Sequence, residues 1–105
     1  MFKKIDIQKA RCDELQQLIS DPAIIANSGL YQKYAKELAE LSRLVNKHHE
    51  FLRLQKEIRE LEHVVTETGH DLSFIELARQ ELESLSRQET LLREEIETMM
   101  LGADD

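Results

Sequence analysis

The feature that most constrains the fold is a stretch from Leu30 to about Glu67 that contains neither proline nor glycine. Apolar residues recur along it in steps of three and four, the spacing that returns side chains to one face of an α-helix. They are Tyr31, Tyr34, Leu38, Leu41, Val45, Phe51, Leu54, Ile58, Leu61 and Val65. A helix of roughly 37 residues would be about 55 Å long at 1.5 Å per residue. So narrow an apolar stripe needs a partner helix to be buried.

Two other segments supply partners with the same spacing. A helix is predicted over residues 5–19, with an apolar stripe of Ile5, Cys12, Leu15 and Ile19. A longer one is predicted over residues 73–101, where a heptad seam has one polar member, Glu89. The seam consists of Ile75, Ala78, Leu82, Leu85, Glu89, Leu92, Ile96 and Met99. The predicted fold is therefore all-α: a long antiparallel coiled-coil hairpin of residues 30–67 and 73–101, with the shorter N-terminal helix packed on it as a three-helix bundle.

The chain's only proline and its three glycines all fall between or after these helices. Pro22 is expected to end the first helix and to open a short helical turn, capped by Asp21 or Ser20, that buries Ile24 and Ile25. At the start of the long helix, Asn27 or Ser28 is the predicted cap.

The turn after the long helix is predicted around Gly69. Ser73 with Glu76 matches a capping box for the last helix, with Asp71 as a competing cap. Leu72 and Leu77 are then spaced as a hydrophobic staple.

The seam of the long helix has one irregularity. His48, Phe51 and Leu54 follow one another in two successive steps of three, the pattern of a stammer. The pairing is expected to bend there or to admit the third helix.

Charge is divided unevenly along the chain. Residues 1–56 carry a net charge of +3 and residues 57–105 carry −10, within a total of −7. An acidic half of this size repels phosphate, so direct binding of duplex nucleic acid is not expected, and a basic protein surface is the better electrostatic match. Lys3, Lys4, Lys9 and Arg11 indicate either a solvated helix end or a small contact for an acidic partner.

The cellular compartment is predicted from the lack of disulfide-forming cysteine pairs, membrane spans and signal-peptide patterns in the sequence. A single cysteine, Cys12, cannot form an internal disulfide, and no apolar run approaches the roughly 20 residues of a membrane span. Without a signal-peptide pattern either, the chain is predicted to be soluble and cytoplasmic, with no membrane partner.

No constellation of residues predicts catalysis. The glycines are isolated, so no phosphate loop is available, and Cys12 on an apolar stripe is a core residue more often than a nucleophile. Glu60 with His63 has the spacing used in di-iron bundles, but such sites need four long helices. The sequence therefore predicts no enzyme activity, no cofactor and no metal.

Four segments together resemble one protein family. They are residues 19–25 (ISDPAII), 31–41 (YQKYAKELAEL), 70–82 (HDLSFIELARQEL) and 92–101 (LREEIETMML). In order and spacing they are similar to the N-terminal domain of bacterial class I peptide chain release factors. Two features resemble the family members that read UAA and UAG more than those that read UGA. They are the aspartate–proline pair and the pattern of tyrosine followed by lysine–glutamate after it.

The resemblance implies a domain of a larger factor that acts in translation termination. Such factors read the stop codon through a tripeptide motif and promote peptidyl-tRNA hydrolysis through a Gly-Gly-Gln loop, and neither motif occurs in this chain. Residues 1–101 are thus interpreted as a non-catalytic N-terminal helical domain, and residues 102–105 as the start of an acidic linker to further domains.

The partners implied by the resemblance are the ribosome, at its stalk base with an L11-type protein, and functionally the class II release factor. Candidate contact residues are those of the exposed turn, Glu67, Thr68, His70 and Asp71, or alternatively the segment Pro22–Ser28. The alternative function is a free-standing coiled-coil adaptor or chaperone-like hairpin.

Overall fold

The structure, a computed structural model, describes residues 4–67 and 69–103. It contains four helices, α1 (Ile5–Leu18), α2 (Pro22–Ile25), α3 (Ser28–Thr66) and α4 (Leu72–Ala103), and no strand within the described residues. The all-α class is confirmed: two long helices form a pair, and a shorter N-terminal helix packs against the first of them. Among the described residues, none of the helices combines the length and apolar character that a membrane crossing requires.

The chain divides into two compact units, Met1–Asn46 and Lys47–Asp105. Helix α3 contributes residues to both, and the boundary falls next to His48, where the sequence pattern is irregular. The interpretation of residues 1–101 as a single domain, with a linker from residue 102, stays a prediction.

In the first unit, α1 packs along the first part of α3. Ile5, Cys12 and Leu15 are buried, as the apolar stripe predicted, and Leu15 is fully so. Burial raises the pKa of the Cys12 thiol above its ordinary value, and a side-chain hydrogen bond with Ser42 of α3 opposes that shift. This thiol is therefore a small core group, as the sequence indicated.

Arg11 links α1 to α3 through its side chain. Its Nε and one Nη donate to the two carboxylate oxygens of Glu37, both at 2.9 Å, and its other Nη lies 2.9 Å from Glu14. The guanidinium also lies 5.9 Å from the centre of the Tyr34 ring. Hydrogen bonding from Arg11 holds the pKa of the Glu37 carboxyl below its ordinary value. Arg11 therefore pairs within the chain, which neither of the two roles predicted for the basic cluster includes.

Two capping side chains set the starts of α2 and α3. Asp21 Oδ1 accepts from the backbone N–H of Ala23 at 2.9 Å, with Pro22 at the first helical position, as predicted. Asn27 Oδ1 accepts from the N–H of Leu30 at 3.2 Å and caps α3. The predicted burial of Ile25 is wrong, because α2 is one short turn that leaves this side chain 55% exposed.

In the second unit, residues 47–66 of α3 and helix α4 lie antiparallel. Lys47 pairs with Glu95 at 2.8 Å, and the guanidinium of Arg93 lies 5.5 Å from the centre of the Phe51 ring. Farther along α3, residues 57–64 line a cleft together with residues 81–85 of α4. Contacts on α4 thus move to lower numbers as those on α3 move to higher ones, which defines a hairpin.

The predicted seam of α4 is confirmed. Its members are buried or half-buried at every position; the buried ones are Ala78, Leu85, Leu92 and Ile96. Glu89 is the polar member, and its carboxylate accepts from Arg93 at 2.6 Å. Because Arg93 also lies over the Phe51 ring, the charged pair is held at the seam and not in bulk solvent.

On α3, the predicted apolar stripe is wrong at two places. Tyr31, near the start of the helix, is 39% exposed, and farther along the stripe is shifted by one residue. Leu44 is buried, whereas the predicted Val45 is half-buried. The buried positions 44, 48, 51, 54 and 58 still include the two successive steps of three. Helix α3 runs through them without interruption.

The predicted start of α4 at a Ser73 cap is wrong. The helix begins at Leu72, after the competing cap Asp71, whose carbonyl accepts from the N–H of Ile75 at 3.0 Å. Leu72 and Leu77 are 82% and 65% exposed, so they form no buried staple. Neither side chain has a core to enter at this end of the hairpin.

Candidate protein-contact site

The turn between α3 and α4 carries the residues that the sequence singled out for partner contact. Gly69 has φ = +91°, the only positive φ among the described residues, and this left-handed backbone turns the chain back. A Cβ at this position would meet no atom within 4 Å, so the backbone conformation and not crowding requires glycine. The reversal brings side chains on the two sides of Gly69 together.

Glu67 and His70 are in direct contact across this glycine. His70 Nε2 lies 2.8 Å from Glu67 Oε2, and His63 Nδ1, one helical turn earlier, lies 3.9 Å from the other carboxylate oxygen. The His70 ring centre is also 5.1 Å from that of Phe74, in a tilted arrangement. The sequence placed Glu67 and His70 in the exposed turn but did not predict that the turn would pair them.

The four predicted contact residues have separate outcomes. Glu67 and Asp71 are exposed, and His70 is half-buried against Phe74. Thr68 lies outside the described residues. The turn therefore presents two carboxylates and an imidazole, groups suited to hydrogen bonds and ion pairs with a protein surface.

Apolar side chains flank the turn on α4, which the sequence analysis did not predict. Leu72, Phe74 and Leu77 are 82%, 48% and 65% exposed. The alternative segment Pro22–Ser28 exposes one comparable side chain, Ile25. Exposed apolar groups close to charged ones are typical of protein-contact surfaces, and the turn has more of them than the alternative segment.

Metal binding has no geometric support in the part of the chain that the structure describes. No three histidine, cysteine, aspartate or glutamate side chains there converge on one point as metal ligands do. Glu60 and His63 are both exposed on α3.

Comparisons with a family model and with known proteins agree on one family. A family model described as PCRF domain matches residues 8–105. Peptide chain release factor 1 of Syntrophus aciditrophicus is 35% identical over 104 residues, that of Staphylococcus haemolyticus 31% and that of Staphylococcus saprophyticus 30%. Each alignment covers 99% of this chain, and the chain spans 29% of the length of each relative. No solved structure matches the chain.

Proposed function

Because the chain belongs to the PCRF domain family, we propose that it is the N-terminal helical domain of a translation termination factor that directs peptide release at the stop codons UAA and UAG. The observation that carries this proposal is the near-complete coverage of the chain by relatives named peptide chain release factor 1. The domain carries no catalysis in this proposal. It acts in the cytoplasm, where ribosomes are.

The proposed role is to contact the ribosome at the stalk base, near the L11-type protein, and so to support the action of the class II release factor. The exposed turn supports this role because Glu67 and Asp71 present carboxylates beside the apolar Leu72 and Phe74. A basic protein is the expected neighbour, since residues 57–105 carry −10. The same charge opposes direct binding of duplex nucleic acid.

The first test concerns the factor as a whole. The gene is sequenced beyond codon 105, and the full-length factor that it encodes is assayed for peptide release on ribosomes stopped at UAA, UAG or UGA. Release at UAA and UAG but not at UGA is expected. A gene without a downstream Gly-Gly-Gln, or a factor that is active only at UGA, would refute the proposal.

The second test concerns the turn within that full-length factor. Glu67→Gln with Asp71→Asn is compared with Glu94→Gln plus Glu97→Gln, which removes the same charge from exposed positions of α4. The turn variant is expected to weaken ribosome binding by about fivefold or more, and the control by less than about twofold. Equal effects would refute a contact at the turn while leaving the release function standing.

A free-standing coiled-coil adaptor or chaperone-like hairpin is the competing function. It is favoured by the strongly exposed Leu72 and Leu77, which an oligomer would cover. It predicts that the chain sediments as a stable oligomer. A monomer at micromolar concentration counts against it.

A further inference from the structure

A cleft of about 430 Å³ lies between α3 and α4 in the second unit, on one side of the seam. We name it the glutamate groove. It is lined by Glu57, Glu60, Leu61, Val64, Glu81 and Leu85.

The groove combines an apolar floor with a carboxylate on each wall. Leu85 is buried, and Leu61 and Val64 are half-buried, so the floor keeps apolar surface in contact with solvent. Glu57 and Glu60 stand on the α3 side and Glu81 on the α4 side. A ligand that enters between the helices therefore meets carboxylates on both flanks.

Most of this acidic charge has no counterion among residues 4–67 and 69–103. Arg53 lies 3.9 Å from Glu57, an exposed contact at the limit of an ion pair. Among the described residues, neither Glu60 nor Glu81 has a cation within ion-pair distance. The unit Lys47–Asp105 carries seven lysines and arginines against fifteen aspartates and glutamates, a net charge of −8.

The apolar surface continues from the groove toward the turn. Leu77 lies four residues before Glu81 and Phe74 three residues before Leu77, so the three share a strip along α4. Leu77 and Phe74 are 65% and 48% exposed. The groove and this strip together extend over about three helical turns, from residue 74 to residue 85.

We infer that the glutamate groove binds a basic amphipathic helix of another protein. Apolar side chains of that helix pack on Leu61, Val64 and Leu85, while lysines or arginines on its two flanks pair with Glu60 and Glu81. A helix is the fitting occupant because two antiparallel helices can pack a third helix alongside them in the groove that they form. The basic character follows from charge complementarity, since an acidic or neutral helix would leave Glu60 and Glu81 unpaired. The groove itself lies outside the turn, although the strip that extends it shares Phe74 and Leu77 with the surface that flanks the turn. The inference does not depend on the proposed release function.

The probe for the test is a labelled peptide of leucine and lysine at helical spacing, about 18 residues or roughly five turns long. Its binding to the 105-residue chain is measured by fluorescence anisotropy. A peptide of the same composition in an order that forms no apolar face is the ligand control. The helical peptide is expected to bind at least about tenfold more tightly than the scrambled one, because only it buries apolar surface on the groove floor.

Two charge-matched variants locate the site on the chain. The groove variant carries Glu57→Gln, Glu60→Gln and Glu81→Gln. The control variant carries Glu62→Gln, Glu94→Gln and Glu97→Gln at exposed positions outside the groove. Both raise the net charge by three, so they change long-range attraction equally. The groove variant is expected to weaken binding about tenfold or more and the control less than about threefold at 0.15 M salt, where distant charges are screened.

Each other result overturns the inference. If the groove and control variants weaken peptide binding equally, the peptide is held by diffuse charge attraction. If the scrambled peptide binds as tightly as the helical one, the apolar floor of the groove does not contribute to binding. A dimer of the chain that the groove variant dissociates would make a second copy the occupant. Absence of peptide binding at millimolar concentration would leave the groove without the proposed ligand. Circular dichroism of each variant verifies that the helices are retained, and none of these measurements depends on peptide release.

Discussion

Two adjacent leucines of α4 provide a direct measurement of what the seam contributes to stability. Leu92 is 7% exposed and Leu91 is 67% exposed. Replacing either by alanine changes the same chemistry, in the same helix, with the same small gain in helix propensity. The difference between the two variants therefore reports burial alone.

The expected magnitudes follow from these exposures. Burying a leucine fully contributes about 1.5–3 kcal/mol, and an unfilled cavity adds to the loss, so that buried Leu→Ala changes cost about 2–5 kcal/mol. Leu92→Ala, with nearly complete burial, is expected to lower the free energy of unfolding by about 3 kcal/mol. Leu91→Ala, with about a third of the side chain covered, is expected to lower it by less than about 1 kcal/mol.

Urea unfolding followed by circular dichroism at 222 nm measures both values, with equal m-values as the condition for comparing midpoints. Hydrogen exchange of the α4 amides verifies that the loss is felt in this helix. A difference below about 0.5 kcal/mol between the two variants would refute the assigned phase of α4 and, with it, the seam of the hairpin.

Four further predictions concern the turn, the end of α4 and the first unit. Gly69→Ala should destabilise the chain by about 1 kcal/mol, because φ = +91° strains an L-residue. Gly102 is helical, and a Cβ added there would meet no atom within 4 Å, so Gly102→Ala should be neutral or stabilising by up to about 1 kcal/mol in the same urea assay. The pKa of Glu37 is lowered in the folded chain, so its carboxylate adds stability above the ordinary pKa of 4.5, and this stability is lost as the pH falls through the folded pKa. Glu37→Gln should therefore flatten the acid limb of a curve of Tm against pH. An unchanged curve would contradict the ion pair with Arg11. Cys12, buried and with a raised pKa, should react with a thiol reagent slowly in the folded chain and at the rate of a free thiol in urea; equal rates would show that it is accessible.

The sequence predicted α4 better than α3 for a physical reason. On α4 only one apolar stripe exists at heptad spacing, so Ala78, Leu85 and Leu92 had to face the partner helix. On α3, Leu44 and Val45 are adjacent and both apolar, so spacing alone could not decide which one is buried. That choice depends on packing, which a sequence pattern does not contain.

The candidate site was predictable only in part. Glycine and polar residues marked the turn, and the exposure of Glu67 and Asp71 followed from that. The contact between Glu67 and His70 depends on the left-handed backbone at Gly69, which composition does not specify. The glutamate groove joins residues some 20 positions apart in the sequence, and it exists only at the particular alignment of α3 with α4.

That alignment is itself selected by a few polar contacts. Leucine-type seams tolerate a slip of one heptad, because another apolar residue then takes each vacated place. Here a slip by seven in one direction would set Lys47 opposite Gln88 and Arg93 opposite Leu44. A slip in the other direction would set Lys47 opposite Gly102 and Arg93 opposite Ile58, so either slip loses the contacts with Glu95 and with the Phe51 ring. These polar contacts thus favour the observed register of the hairpin, although hydrophobic burial supplies most of the energy that closes it.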